Sequence, residues 1–414
     1  MQVIKRGMKN VTFLLLGRIL GMVISYMTLI FIVRKLTIEE FGLLSTVRTF
    51  VASFIIFSFG GISGAVMREG AKNLPQMGLL YEQTNGFKLL VSIFATILCL
   101  LALMLTPYDN STKTLVFIFS FTIITTSLLN HWKVAFSATE KFKTLVIINI
   151  LQPLVYFLIA IIVIDYSNRV QNLLFIQMFL QIIVMVIALL IAQRLIKFRL
   201  NLFDIQFNKS LITKGFYFFI ISFAGMVFMK IDVLMISLMG NLGEVGVYSI
   251  ADRIAREGSE LRTVILAGFF PVVIKRIKDG PINGVLVRNT VIKIFFLVLL
   301  GLIIISFNIE QIIVYMFGSK YLASAEILKY LIFFLAIEYT IHPYIMLLLS
   351  SNGEKYVAFI YSILAVMNVV LNYTFYNIFG LIGIVYSTIT VFLILAIYTI
   401  TYGIKFLYEE EILI

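Results

Sequence analysis

Leu297–Val298–Leu299–Leu300–Gly301–Leu302–Ile303–Ile304–Ile305–Ser306–Phe307 is the stretch that decides the fold. It does not alternate apolar and polar residues, as a lipid-facing barrel strand would. In lipid every backbone N–H and C=O must be paired internally, so a non-alternating apolar run is a helix. Such a helix rises 1.5 Å per residue, and about 20 apolar residues cross a hydrocarbon core of ~30 Å. Working outward, comparable runs recur at 11–33, 41–67, 85–105, 114–137, 144–164, 172–193, 213–238, 245–273, 286–307, 325–349, 356–377 and 380–403. The chain of 414 residues is 61% hydrophobic and 13% charged. A soluble domain is about 25% charged, so this one lacks the polar surface to face water all round. The expected fold class is an all-α membrane protein with twelve transmembrane helices.

The first run follows Lys5, Arg6 and Lys9, as in a signal peptide. It is too long for one, and no Ala-x-Ala site follows, so it reads as a retained span. The connections between runs are short. The longest, about 193–213, is basic and central. It divides the chain into an expected N-terminal lobe, 1–205 with helices 1–6, and a C-terminal lobe, 206–414 with helices 7–12. If the N-terminus is cytoplasmic, seventeen loop Lys and Arg residues fall inside and five outside. That asymmetry predicts twelve spans with both termini cytoplasmic. It also accounts for the formal net charge of +12 without invoking nucleic acid. Cys99 is the single cysteine, so no intramolecular disulfide or thiolate metal site is expected.

Weak internal symmetry supports the two-lobe reading. Glu40-x-Gly42 after span 1 matches Glu244-x-Gly246 after span 7, each ending in Ser. Gly21–Met22 meets Gly225–Met226 at the same offset, and Glu140–Lys141–Phe142 resembles Glu354–Lys355–Tyr356. An even number of helices separates the copies, so the repeats are parallel and related by a pseudo-two-fold axis. That is a transporter architecture, with substrate handled between the halves.

Ionisable side chains at membrane depth cost about 2.5–3.5 kcal/mol each on insertion scales. They face protein or water rather than lipid. Span 8 carries Asp252, Arg253, Arg256, Glu257, Glu260 and Arg262. Asp252, Arg256 and Glu260 follow at i, i+4, i+8, and Arg253 pairs with Glu257 at i+4. Each pair alone reads equally as a self-neutralised ladder. The cluster as a whole reads as the lining of a hydrated cavity. Arg18 and Arg48 have no acid within four residues on their own helices. They meet either an inter-helix acid, for example Asp232 or Asp252, or an anionic substrate, since the guanidinium fork suits phosphate. Lys230 and Asp232 point to different sides of span 7. Glu338 and His342 lie at i, i+4 in span 10, spaced for a proton relay or an internal hydrogen bond. Pro153 and Pro343 are expected to kink spans 5 and 10. His131, Trp132 and Lys133 read as an interface anchor. No P-loop, no His/Glu metal spacing and no large outward loop is present, so neither cofactor nor metal is expected.

Gly17–Arg18, Arg34-x-Leu36 with Glu40–Phe41–Gly42, Gly60–Gly61 leading to Arg68–Glu69, the turn Asn352–Gly353–Glu354–Lys355 and Gly380-x-x-Gly383 together resemble a known family. It is the polysaccharide-exporter branch of the multidrug/oligosaccharidyl-lipid/polysaccharide (MOP) superfamily, and within it the Wzx-type O-antigen flippases. The resemblance covers the whole chain. It implies two six-helix lobes in a V around a central cavity. It implies flipping of an undecaprenyl-pyrophosphate-linked oligosaccharide across the bacterial cytoplasmic membrane by alternating access, with proton or sodium exchange. Polysaccharide polymerase machinery is the implied partner. Related lipid II flippases bind the pyrophosphate with cavity arginines, and Arg18 and Arg48 match these by position. Those relatives have fourteen helices; this chain has room for twelve. The implied substrate-binding set is Arg18, Arg48, Lys230, Arg253 and Arg256. The implied coupling or gating set is Asp232, Asp252, Glu338 and His342. The rivals are a multidrug cation antiporter of the same superfamily and, in another class, an O-antigen polymerase or ligase-type membrane glycosyltransferase. The first would want an acid where span 1 holds Arg18. The second would want a large basic outward loop.

Overall fold

The computed structural model describes residues 2–58, 63, 66, 67, 70, 73–200, 209–278, 284–350 and 354–412. Among them the regular structure is helical, with no strand. In chain order the helices are α1 Gln2–Lys35, α2 Ile38–Ile55, α3 Met77–Met104, α4 Asn110–Ser120, α5 Thr122–Ala138, α6 Phe142–Val163 and α7 Arg169–Ile196. There follow α8 Lys209–Met239, α9 Leu242–Lys278, α10 Gly284–Ser306, α11 Ile309–Phe317, α12 Leu322–Ser350, α13 Glu354–Phe379 and α14 Leu381–Ile412. Each expected span falls on one of these, with α4 and α5 sharing the fourth and the end of the second lying partly outside the described residues. Helix α11 was not expected; it meets α10 at a 65° bend. Among the described residues nine helical stretches are long and apolar enough to cross a membrane, and the bent α10–α11 pair makes a tenth. The charge-bearing helices α9 and α12 are not among the nine. Large apolar side chains stand open along most helices, with Met104 of α3 74% and Leu297 of α10 75% exposed. Such a surface suits lipid, not water.

The chain forms two compact units, residues 1–226 and 227–414. The expected division at 205/206 falls outside the described residues. So do Gly60–Gly61, Arg68–Glu69 and Asn352–Gly353.

In the first unit α5 is central. Leu128, Leu129, Trp132, Ala135 and Phe136 pack with Met77 and Tyr81 of α3 and with Ala188 and Ala192 of α7. Small residues let backbones approach in lipid, where no hydrophobic drive pulls helices together. Gly17 of α1 accordingly sits directly on Val146 of α6. Helix α2 gives way to a 3-10 turn at Ile56–Ser58. The Ser58 carbonyl accepts from the Lys88 Nζ of α3 at 2.5 Å and from Ser127 of α5 at 3.5 Å. Pro153 lies inside α6 and Pro343 inside α12, and neither ends its helix.

In the second unit α12 packs against α9, α10 and α14. Helix α13 ends at Gly380, whose φ of +66° needs a residue without Cβ. Gly383 then lets the start of α14 close on the Phe375 carbonyl.

The two copies of the Glu-x-Gly signature share one local geometry. At the start of α2, Thr37 caps the helix: its side chain accepts from the Glu40 amide, and the Glu40 carboxylate accepts from the Thr37 amide. At the start of α9 the Asn241 side chain accepts from the Glu244 amide at 2.9 Å and donates back to the Glu244 carboxylate at 3.4 Å. A glutamate at the third helical position is what such a reciprocal cap requires.

Candidate functional site

The first unit holds Arg18 and Arg48. Arg18 is exposed on α1. Arg48 is half-buried on α2. Its Nη2 donates to the Tyr156 hydroxyl of α6 at 2.6 Å, and its guanidinium carbon stands 5.7 Å from the centre of that ring. Its Nε is buried without a partner among the described residues. Arg48 is thus a cation held in place by a phenol, with donor capacity left over and no carboxylate within 4 Å among the described residues.

The second unit spends its charges differently. Along α9, Arg256 pairs with Asp252 at 2.7 Å and Arg253 with Glu257 at 2.9 Å, both at i, i+4 as the spacing requires. One turn on, Arg262 pairs with Glu338 of α12, which also accepts from Ser259. The Glu260 side chain lies outside the described residues. Lys230 of α8 feels Arg256, Asp252 and Arg253 as its electrostatic neighbours. The expected substrate residues of this unit, Lys230, Arg253 and Arg256, are therefore brought into one neighbourhood. Within it, Asp252 and Glu257 neutralise the two arginines.

Asp232 is 2% exposed on α8. Its Oδ2 accepts from the Tyr248 hydroxyl of α9 and the Thr388 hydroxyl of α14, both at 2.9 Å. Its Oδ1 accepts from the Asn372 amide of α13 at 2.8 Å. Three neutral donors on three helices enclose one carboxylate. A buried charge needs its hydrogen bonds made. The hydroxyl oxygens keep lone pairs toward any small cation admitted beside Asp232.

Glu338 turns to Arg262 and Ser259 rather than to His342. The relay spacing on α12 loses to a cation on the neighbouring helix, because a charge-assisted bond is about twice as strong as a neutral one. His342 is half-buried, with Arg262 as its electrostatic neighbour.

The expected interface anchor is core. His131 is fully buried and Trp132 2% exposed. The His131 ring lies 3.3 Å from the Ser63 hydroxyl and 3.2 Å from the Thr84 hydroxyl. The Trp132 indole donates to Asn85 at 3.0 Å. The position near a helix end suggested headgroups; the central place of α5 buries both rings instead. Lys88, fully buried on α3, was missed because it opens an apolar run and reads as a boundary residue. Tyr156, Tyr248, Asn372 and Thr388 were also missed. They are uncharged and lie 16 to 156 residues from the charges they serve, beyond helical spacing, so no local pattern marks them.

The family described as "Polysaccharide biosynthesis protein" matches residues 8–277, well over half the chain. No curated protein matches. Among solved structures, a lipid II flippase MurJ in its inward closed conformation is similar at 17% identity, covering 94% of this chain and 87% of that one, with a TM-score of 0.67. A MATE transporter in complex with MaL6 is similar at 14% identity over 97% of both chains, with a TM-score of 0.63. A MOP superfamily transporter from Pyrococcus furiosus, described as having a binding pocket of reversed polarity, is similar at 14% identity over 97% and 96%, with a TM-score of 0.61. At these identities the likeness establishes the fold.

Proposed function

We propose, from the premise that this chain belongs to the polysaccharide biosynthesis protein family of MOP transporters, that it flips an undecaprenyl-pyrophosphate-linked oligosaccharide. The coarser statement stands without the proposal: this is a multi-pass membrane protein of the polysaccharide biosynthesis protein family. The observation that carries the finer reading is Arg48, a guanidinium held by a phenol. Such a cation in a membrane span is expensive unless a mobile anion completes it. Pyrophosphate oxygens match the guanidinium fork in geometry and sign.

In this reading Arg48 and Arg18 hold the pyrophosphate. Lys230, Arg253 and Arg256 form the polar lining of the second unit, the two arginines neutralised by their ion pairs. In this reading flipping proceeds by alternating access. The protein sits in the bacterial cytoplasmic membrane with both termini inside, and it hands its cargo to a polysaccharide polymerase. The reading assigns no catalysis to the chain.

Coupling falls to Asp232. Of Asp232, Asp252, Glu338 and His342, Asp252 and Glu338 are already committed to arginines. Asp232 is hydrogen-bonded by neutral donors alone among the described residues, with Arg256 and Asp252 as opposed electrostatic neighbours; in this reading a proton or a monovalent cation completes it. The same burial weighs against the drug-exporter reading, since an organic cation needs an open carboxylate and Asp232 is enclosed.

The test is retention of a polyprenyl-pyrophosphate by the purified protein, followed by native mass spectrometry. Wild type is expected to retain the lipid and Arg48→Ala to release it. Equal retention by the two removes Arg48 from the reading. For coupling, Asp232→Asn is expected to keep lipid retention and lose any dependence of transport on an imposed ion gradient.

A further inference from the structure

Helix α6 is among the most apolar in the chain, yet its two sides differ. Ile147, Leu151, Leu154, Leu158, Ile161 and Ile162 are all exposed. At 100° per residue they occupy an arc of about 100°. Asn149, Gln152 and Tyr156 follow at i, i+3, i+7 and lie within about 60° of one another on the opposite side. Exposed aliphatics on one side face lipid. Asn149 is exposed on the other side, and an exposed amide at that place faces water or a polar guest.

Each polar residue of the strip is held by a different neighbouring helix of the same unit. Lys133 of α5 donates to Asn149 at 2.8 Å. Gln152 donates to Gln181 of α7 at 2.5 Å, and Gln181 donates to Thr126 of α5 at 3.2 Å. Tyr156 accepts from Arg48 of α2. These bonds fix the side chains without exhausting them. A side-chain amide has two donor hydrogens and two acceptor lone pairs. Asn149 Nδ2 meets no partner among the described residues. Gln177, one turn before Gln181 on α7, has a buried Oε1 that is likewise unmatched among them.

We propose that this strip, Asn149, Gln152 and Gln181 beside Arg48–Tyr156, is a carbohydrate-recognition surface that reads the sugars next to the pyrophosphate. The inference rests on the flippase reading above and adds the residues that choose the cargo. A sugar hydroxyl both donates and accepts, and only amides and hydroxyls answer it both ways; carboxylates and ammonium groups answer one way. The strip starts at the cation assigned to pyrophosphate and runs roughly 10 Å along the helix to Asn149. That order matches a lipid-linked saccharide, in which the first sugar is bonded to the phosphate.

The experiment compares two probes in liposomes: a polyprenyl-pyrophosphate oligosaccharide and the same polyprenyl-pyrophosphate without sugar. The variants are Asn149→Ala, Gln152→Leu and Gln181→Leu, each first checked for an unchanged melting temperature. Each is expected to lower movement and retention of the oligosaccharide probe about five- to tenfold, one hydrogen bond's worth, and to leave retention of the sugar-free probe at wild-type level. Arg48→Ala is expected to lose both. An equal fall for both probes, or no fall for either, overturns the strip. If wild type moves neither lipid, the flippase reading fails, and the strip is decided by the free oligosaccharide. Binding of that oligosaccharide to the purified protein is read by isothermal titration calorimetry. A binding heat lost in the three variants upholds the strip, and no binding heat in wild type overturns it.

Discussion

Helices α9 and α2 both carry arginine, and they use it in opposite ways. On α9 Arg253 and Arg256 meet carboxylates on their own helix, and Arg262 meets one on α12. On α2 Arg48 meets a phenol. Formal charge is conspicuous on α9, but most of it is cancelled within a few ångströms. Charge is sparse on α2, and there it is left available. For a polar guest in a bilayer the second arrangement offers more, because a paired guanidinium must first give up its partner.

That contrast can be broken or sharpened by substitution. The largest effect is expected at Arg48. Replacing it with Ala should lower transport of a lipid-pyrophosphate saccharide by roughly ten- to a hundredfold, the worth of charge-assisted bonds of about 1.5–3 kcal/mol. Arg253→Ala in the same assay should lose far less; equal losses would erase the distinction. Next is Glu338→Gln, which leaves the buried Arg262 without its carboxylate. A destabilisation of about 3 kcal/mol is expected in thermal or denaturant unfolding, with most of it recovered when Arg262 is also replaced by Met. An additive double variant would deny the pair. Asp109, in the loop before α4, accepts from the Ser111 and Thr112 amides. Removing the cap as Asp109→Ala should cost about 1 kcal/mol. The Thr112 hydroxyl and then these amides hold the Asp109 carboxyl below the usual carboxylate range. Its contribution is therefore complete above about pH 4 and lost as pH falls through the lowered value, so the variant and wild type should converge in acid. The smallest effect is at Glu257→Gln, whose partner Arg253 is nearly half exposed; no more than about 0.5 kcal/mol is expected.

The same contrast explains what the sequence disclosed. Hydropathy places most of the helices, because lipid imposes one answer on a long apolar run, while the short α11 and its bend on α10 escape it. The α9 pairs are legible too, since their partners lie four residues away. Arg48 with Tyr156, and Asp232 with Asn372 and Thr388, join residues more than a hundred apart. Their neutral members are ordinary side chains in apolar helices, and only packing shows what they serve. At Glu338 local spacing is outweighed: His342 lies one turn on, but Arg262 of α9 takes the carboxylate. Trp132 is a second case, because a ring near a helix end is an anchor only when that end reaches the surface.

The most direct test of the central claim is flipping itself. Purified protein is reconstituted in liposomes with a polyprenyl-pyrophosphate oligosaccharide, and a leaflet-selective glycosidase scores which side each sugar occupies. The account predicts protein-dependent equilibration between leaflets that Arg48→Ala slows roughly ten- to a hundredfold while the protein remains folded. No movement of the saccharide, with proton-coupled efflux of an organic cation from the same vesicles, would contradict it.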